Sequence, residues 1–380
     1  MAVIDPVDLT ARLVRCPSVT PAEGGAISLL ETQLTDAGFH CSRILRGGID
    51  NLYARWGYAT PVFAFAGHTD VVPVGDRDAW THDPFGAEIE DGVLWGRGAV
   101  DMKSGVAAFV SAACRMVAES PPDGSIVLLI TGDEEGVAAD GTVAILDWMR
   151  EMGEAADVCI VGEPTSVVQV GDVVKIGRRG SMTGRLTVNG QQGHTAYPEK
   201  AANPLPVLAK VCAGLADNVL DLGSTHFQQS TLALTTIDVG NPANNVIPAS
   251  GEAVFNIRFN DLQTPASIQV WTEQIVERCL LGTDCTADLA WTVSGESFLT
   301  PPGPLTTLVG EVLAERQLER PMLTTGGGTS DARFIKDLCP VIELGLVGEG
   351  MHQVDERVPV ADIVTLTEIY LAILRQYFSG

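Results

Sequence analysis

Short continuous apolar runs set between glycines and prolines organise the first half of the chain. Val62 to Ala66, Ile126 to Ile130 and Val158 to Val161 are too brief for buried helices and are rich in β-branched residues. Such runs predict parallel strands buried on both faces. Other spacings predict helices. Residues 7–38 read as a helix with a broken start; its second part, Gly25 to Ala37, repeats apolar residues at helical intervals and stops at Gly38, where a C′ glycine is favoured. Lys103 to Ala118 reads as a helix beginning just after Asp101, and Thr142 to Met152 as another. Strands are expected near 39–45 and 51–56, with a turn and strand over Gly92 to Gly98. The class is therefore α/β, with a mixed, mostly parallel sheet.

The pattern changes near residue 180. Residues 181–190 alternate like a half-exposed strand, Asn203 to Val219 reads as a helix opened by prolines, and strands near 231–239 and 251–259 follow. A helix from Pro265 to Leu281 and a strand near 286–293 complete a β-α-β-β-α-β order, that of a ferredoxin-like α+β sandwich. Helix–strand alternation then resumes. The expected division is a discontinuous α/β domain, 1–180 with 294–380, interrupted by an inserted domain, 181–293. Two chain crossings make hinge motion the default expectation.

At 380 residues and 46% apolar composition the chain can build two real cores. No run approaches the ~18–20 apolar residues of a membrane span, and Met1 to Pro6 lacks the basic-then-apolar pattern of a signal peptide. The formal charge of −24 disfavours nucleic acid and anionic membrane surfaces. An anionic substrate would need local arginines to overcome that field. The eight cysteines are scattered without a C-x-x-C pair, so neither a thiolate zinc site nor a redox dithiol is indicated. The expected location is the cytoplasm.

Most of the ligand-capable segments directly follow the apolar runs. His68-Thr69-Asp70 follows the first, Glu134-Glu135 the second and Glu163 the third, with Asp101 and His352 elsewhere. Strand exits face the crevice in which open α/β sheets bind ligands. Each segment has an ordinary reading: Asp101 as a helix N-cap, Glu134-Glu135 as a solvated loop, Glu163-Pro164 as a turn, His352 as a loop histidine. None explains why so many fall at successive strand exits. Imidazole and carboxylate donors without thiolates suit zinc, with cobalt or manganese feasible. A bridging carboxylate between two metals ~3.5–4 Å apart makes a hydrolytic site. Of the adjacent Glu134 and Glu135, one can bind metal while the other serves as general base. A carboxylate near His68, such as Asp70, can take its second N–H.

Gly67-His68-Thr69-Asp70-Val71-Val72-Pro73, Gly96-Arg97-Gly98-Ala99-Val100-Asp101-Met102-Lys103, Thr131-Gly132-Asp133-Glu134-Glu135 and Val161-Gly162-Glu163-Pro164-Thr165 resemble, in order, the metal motifs of the co-catalytic zinc deacylase and aminopeptidase family. Gly177 to Ser181, Gly193-His194-Thr195-Ala196-Tyr197-Pro198, Asn244 to Pro248 and Gly327 to Phe334 resemble its desuccinylase-type segments. The resemblance runs from about residue 7 to the C-terminus. It implies a zinc-aminopeptidase-like catalytic domain with an inserted lid that forms a homodimer. One metal would take His68, Asp101 and Glu163, and the other Asp101, Glu135 and His352. Glu134 would be the general base, Asp70 the outer partner of His68, and Asp101-Met102 a cis peptide. His194 would reach the partner subunit's active site and stabilise the oxyanion; its ordinary reading is a surface histidine of the lid.

The implied reaction is hydrolysis of N-succinyl-L,L-2,6-diaminopimelate, which carries more carboxylates than free amines. Arg178 and Arg258 are candidate carboxylate binders; exposed strand arginines are the ordinary reading. Asn244, Asn245, Thr325, Gly327 and Gly328 are further candidate donors, and glycines let backbone N–H groups approach a ligand. Thr325-Gly326-Gly327-Gly328 departs from the family by one glycine where a small polar residue is expected, which leaves the donor set there open. The rivals are another deacylase of the family, such as one acting on acetylornithine; a silent binding protein for an acyl amino acid, which should lack a ligand or the base; and a structural homodimer whose carboxylates merely solvate loops.

Overall fold

The computed structural model describes residues 4–317 and 320–379. The apolar runs become the centre of an eight-stranded mixed sheet. In spatial order its strands are His40–Arg46, Ile49–Trp56, Ser125–Thr131, Val62–His68, Val158–Val161, Val341–Glu343, Val173–Lys175 and Met322–Thr324. The central strands pair in parallel, from Ser125–Thr131 through Val62–His68 and Val158–Val161 to Val341–Glu343. The first two strands are antiparallel to each other, and Ile49–Trp56 is antiparallel to its central neighbour Ser125–Thr131. Every residue of Val62–His68 and Ser125–Thr131 is buried, the environment that unbroken apolar runs require.

Helices cover these strands. Ser104–Glu119 packs on Val62–His68 and against the C-terminal helix Val360–Ser379. Phe65 stacks on Phe109 at 4.0 Å between ring centres, and Tyr370 meets both edge-on. The broken N-terminal helix is two helices, Pro6–Val14 and Ala26–Asp36. The Asp5 carboxylate caps the first by accepting from Val7 N and Asp8 N. Pro17, Pro21, Gly24 and Gly25 account for the interruption, because prolines cannot donate to a helix and Gly24 sits at φ +56. The strands Val173–Lys175, Met322–Thr324 and Val341–Glu343 were not predicted. Three residues carry no periodicity, so partner strands alone define them.

By contacts the chain divides into two compact units. One runs to Ile176 and resumes over Thr300–Thr324 and from Ser330 onward; the other is Gly177–Leu299 with Thr325–Thr329. The division lies outside 181 and 293 because Gly177–Arg178 pairs with Phe298–Leu299. In the second unit a four-stranded antiparallel sheet is ordered Thr231–Asp238, Ser250–Phe259, Gly180–Asn189, Thr286–Gly295. Helices Leu205–Asp217 and Pro265–Leu280 complete the ferredoxin-like β-α-β-β-α-β order. Ser250–Phe259 alternates strictly between half-buried and buried positions, and Phe255, Ile257 and Phe259 join Met182, Leu186 and Leu208 in that unit's core.

Candidate metal centre

Parallel registry brings three of the ligand-bearing segments to one sheet edge. His68 ends its strand opposite Thr131, and Ala66 pairs with Val161, so Glu134, Glu135 and Glu163 emerge beside His68. Asp101 comes from the wide turn Ala99–Lys103 before the helix Ser104–Glu119. It has extended dihedrals (φ −118°, ψ 96°) and does not cap that helix. The Asp101–Met102 peptide is cis, as the resemblance implies. Buried Met102 fills a space that glycines leave open: a Cβ on Gly67 or Gly162 would fall 2.6 Å or 2.9 Å from its Cε. His352 sits at φ +62°, a backbone conformation uncommon outside glycine.

The donors converge. His68 Nε2 lies 3.3 Å from Asp101 Oδ1 and 3.8 Å from Glu163 Oε1. His352 Nε2 lies 2.9 Å from Glu135 Oε1 and 3.4 Å from Asp101 Oδ2. Asp101 thus faces both imidazoles, one through each oxygen. Side-chain donors of His68, Asp101 and Glu135 lie within 4.8 Å of one another, as do those of His68, Glu134 and Glu163. Glu134 therefore reaches into the same space as the candidate ligands.

Asp70 has a different part from the one inferred from spacing. His68 Nδ1 donates to the backbone carbonyl of Asp70 at 2.9 Å, which orients the ring and turns Nε2 toward Asp101. The Asp70 carboxylate stands 3.6 Å from Nδ1. It accepts instead from Glu134 N (3.2 Å), Glu135 N (3.0 Å) and the Thr20 hydroxyl (2.7 Å). One buried carboxylate thereby holds the backbone of both glutamates. Thr20 carried no signal in the sequence, since its loop is fixed only by the fold.

The electrostatics fit divalent cations. Among the described residues, the ion pairs to these carboxylates come from His68, His352 and Arg333, the last 4.0 Å from Glu134. Burial pushes Glu163 well above the usual carboxylate range, and Asp101 adds to the effect. Burial likewise raises Glu134 to about 8, with Asp331, Glu135 and Asp101 contributing and His68 opposing. Burial would raise Asp101 too, but hydrogen bonds from His352 and His68 prevail and hold it low. His352 is drawn up to about 10 by Asp101 and Glu135 against its partial burial. Anionic oxygens so crowded need positive charge among them. Two divalent ions would supply it, and imidazoles and carboxylates are donors that such ions take.

The other candidates lie in the second unit. His194 is exposed in the short strand Gly193–His194, paired with Val246–Ile247. Its Nδ1 accepts from Ala196 N at 3.0 Å and its ring meets Tyr197 edge-on. Asn244 and Asn245 are exposed, and the Asn245 carbonyl accepts from Thr195 N. Arg178 is buried and contacts the Gly326 carbonyl at 3.4 Å. Arg258 donates to Asn256 at 3.0 Å, while burial and neighbouring Arg179 lower its pKa. Thr325 is buried and donates to the His226 carbonyl; Gly327, at φ +104°, and Gly328 are exposed.

Known proteins resemble this chain along nearly its whole length. The chain is 59% identical over 378 residues to a succinyl-diaminopimelate desuccinylase of Cereibacter sphaeroides, covering 99% of this chain and all of that protein. It is 57% identical over 381 residues to succinyl-diaminopimelate desuccinylase 1 of a Ruegeria species, covering all of both. Its fold is similar to that of aminopeptidase PepT from Bacillus cereus, with a TM-score of 0.80, 21% identity and 99% of each chain covered. It is also similar to the YXEP protein of Bacillus subtilis, a dinuclear metal-binding peptidase (TM-score 0.73, 14% identity, 98% of each chain). Residues 64–376 match the sequence pattern of Peptidase family M20/M25/M40, and the chain belongs to that family.

Proposed function

We propose that this chain is a metal-dependent amidohydrolase that converts N-succinyl-L,L-2,6-diaminopimelate and water to succinate and L,L-2,6-diaminopimelate, a step of lysine and diaminopimelate biosynthesis in the cytoplasm. The observation that carries the reading is the full-length identity, above half, to desuccinylases. The complete donor cluster of the first unit supports it. His68, Asp101 and Glu163 would hold one divalent ion, and Asp101, Glu135 and His352 a second; Zn2+ is the proposed metal, with Co2+ in one site as the variant. When bound, such a pair polarises a carbonyl and lowers the pKa of a water molecule.

The chain's own residues then divide the work. Glu134 takes a proton from the attacking water and hands it to the departing amine as the succinyl C–N bond breaks and the new C–O bond forms. Burial and its carboxylate neighbours raise its affinity for a proton, which suits a group that must accept one and pass it on. Asp70 holds Glu134 and Glu135 by their backbones. His194 of the partner subunit would donate to the oxyanion, in a homodimer formed through residues 181–293. Arg178 and Arg258 would receive substrate carboxylates, with Asn244, Asn245, Thr325, Gly327 and Gly328 as further donors. The mutual repulsion of Arg258 and Arg179 favours an anion between or beside them.

Chelated and then zinc-reloaded protein should regain turnover of the succinyl substrate. Its kcat/KM should exceed that for acetylornithine; the reverse ratio would assign the chain to the rival deacylase. Glu134→Ala should retain metal and lose ~100-fold or more of kcat; near-normal kcat removes Glu134 from its role.

A further inference from the structure

One buried ion pair links the two segments that bring Asp101 and His352 together. Arg97 and Glu356 are 2% and 0% exposed, and Arg97 Nη1 donates to Glu356 Oε2 at 2.8 Å. The other carboxylate oxygen, Oε1, accepts from Val100 N at 2.9 Å and from Asp101 N at 3.2 Å. It grips the backbone of the residue that faces both imidazoles. The Arg97 fork turns the other way. Nη1 reaches the Gln353 carbonyl at 3.1 Å, and Nη2 reaches the carbonyls of His352 and Pro73, each at 3.4 Å. The Trp80 ring lies under the guanidinium, 5.1 Å from its centre.

The His352 side chain is itself half exposed and its backbone lies in the left-handed region. Side-chain packing therefore does little to hold it, and the Arg97 contacts to two successive carbonyls bear more of that task. A planar, permanently charged fork suits this role, since a lysine ammonium could not span these carbonyls and a carboxylate in one geometry. A buried pair of this kind adds little net stability compared with apolar residues of the same volume. Its worth lies in geometry, as with the outer hydrogen bonds that orient metal ligands.

We propose that Arg97 and Glu356 are positioning residues that preset the Asp101–Glu135–His352 donor set, so that their loss weakens the metal on Glu135 and His352 more than the metal on His68 and Glu163. The inference rests on the two-metal reading above. The ion on His68 and Glu163 shares Asp101 with the pair, but its other two ligands stand at strand ends of the parallel sheet, which the pair does not touch. The ion on Glu135 and His352 depends on a loop that the pair ties down.

The test is titration of the chelator-stripped full chain with Zn2+ alone, and with Co2+ alone, by calorimetry. Wild type should bind two equivalents; if it binds none or one, the two-metal reading fails before this inference is reached. Glu356→Gln keeps an acceptor for Val100 N and Asp101 N but loses the charge that holds Arg97. It should bind one equivalent about 10–100-fold more weakly and the other with a clearly smaller loss. Under saturating metal its KM should stay near the wild-type value while kcat falls. Arg97→Lys should move both quantities the same way. The double replacement Arg97→Met with Glu356→Leu separates geometry from fold: its melting temperature should return toward wild type while one equivalent remains weak. Two unchanged affinities in Glu356→Gln would overturn the inference. So would equal weakening of both equivalents, or recovery of both in the double variant.

Discussion

Replacing Asp70 by asparagine should disable the catalytic loop without emptying the site. Both oxygens of this carboxylate work. Oδ1 accepts from Glu134 N at 3.2 Å, and Oδ2 accepts from Glu135 N at 3.0 Å and the Thr20 hydroxyl at 2.7 Å. An asparagine has one acceptor oxygen. If that oxygen takes the Oδ2 position, its NH2 group confronts the Glu134 N–H, donor against donor. A hydrogen bond to a charged group contributes ~1.5–3 kcal/mol, and an unsatisfied buried donor costs ~1–3 kcal/mol. The backbone of Glu134 should therefore leave its position, with ~2 kcal/mol of the loss appearing at the transition state. That corresponds to about a 30-fold fall in kcat. KM should hardly change, because Asp70 is buried and its carboxylate is engaged by Glu134, Glu135 and Thr20. Thr20→Val removes one donor and leaves the grip on both glutamates, so its effect should be about 3-fold. The assay is steady-state succinate release from zinc-loaded protein, with zinc content and melting temperature measured alongside. A kcat for Asp70→Asn within 3-fold of wild type, at full zinc content, would refute the reasoning.

Three further outcomes follow from the same geometry. Gly105→Ala places a Cβ 2.5 Å from the Gly162 carbonyl, a backbone atom beside Glu163, so thermal unfolding should show a loss of ~1–3 kcal/mol together with weaker zinc binding; a silent substitution would mean that the helix and the strand exit are not in contact. Burial lowers Lys103 to about 8 from its ordinary 10.5, so folding favours its neutral form. The penalty is therefore full below pH 8 and fades as pH rises toward 10.5. Lys103→Met loses the bond to the Cys16 carbonyl but removes a penalty of ~3 kcal/mol; denaturant melts should show a net gain near pH 7 that disappears near pH 10.5, and a gain independent of pH would contradict the assignment. Chelation should lower the melting temperature, and zinc at about 100 times its Kd should restore ~2.7 kcal/mol per site; an unchanged melting temperature would favour a merely structural carboxylate cluster.

Much of this protein was legible because its strongest signals are local. An unbroken apolar run such as Ile126 to Ile130 can only be buried, and a helix such as Thr142–Met152 repeats its apolar face within one segment. The order of elements outlined the β-α-β-β-α-β segment, though not the limits of its unit, and the strand exits pointed to His68, Glu134, Glu135 and Glu163 as companions. Asp101 was ambiguous by itself, since an aspartate before a helix is most often a cap; only its extended dihedrals and two imidazole neighbours distinguish it. Three-residue strands such as Val341–Glu343 have no period of their own, and their identity comes from the strand beside them.

By itself the sequence determined which side chains could bind cations, which segments lie in the sheet, and the family pattern that joins them. Tertiary structure alone decided that Asp70 offers His68 a backbone oxygen while its carboxylate holds two glutamates, and that Arg97 finds Glu356 across more than 250 positions. The physical reason is range. Periodicity and turn chemistry act within a few residues, whereas a buried charge is satisfied by whichever partner the folded backbone brings within about 3 Å.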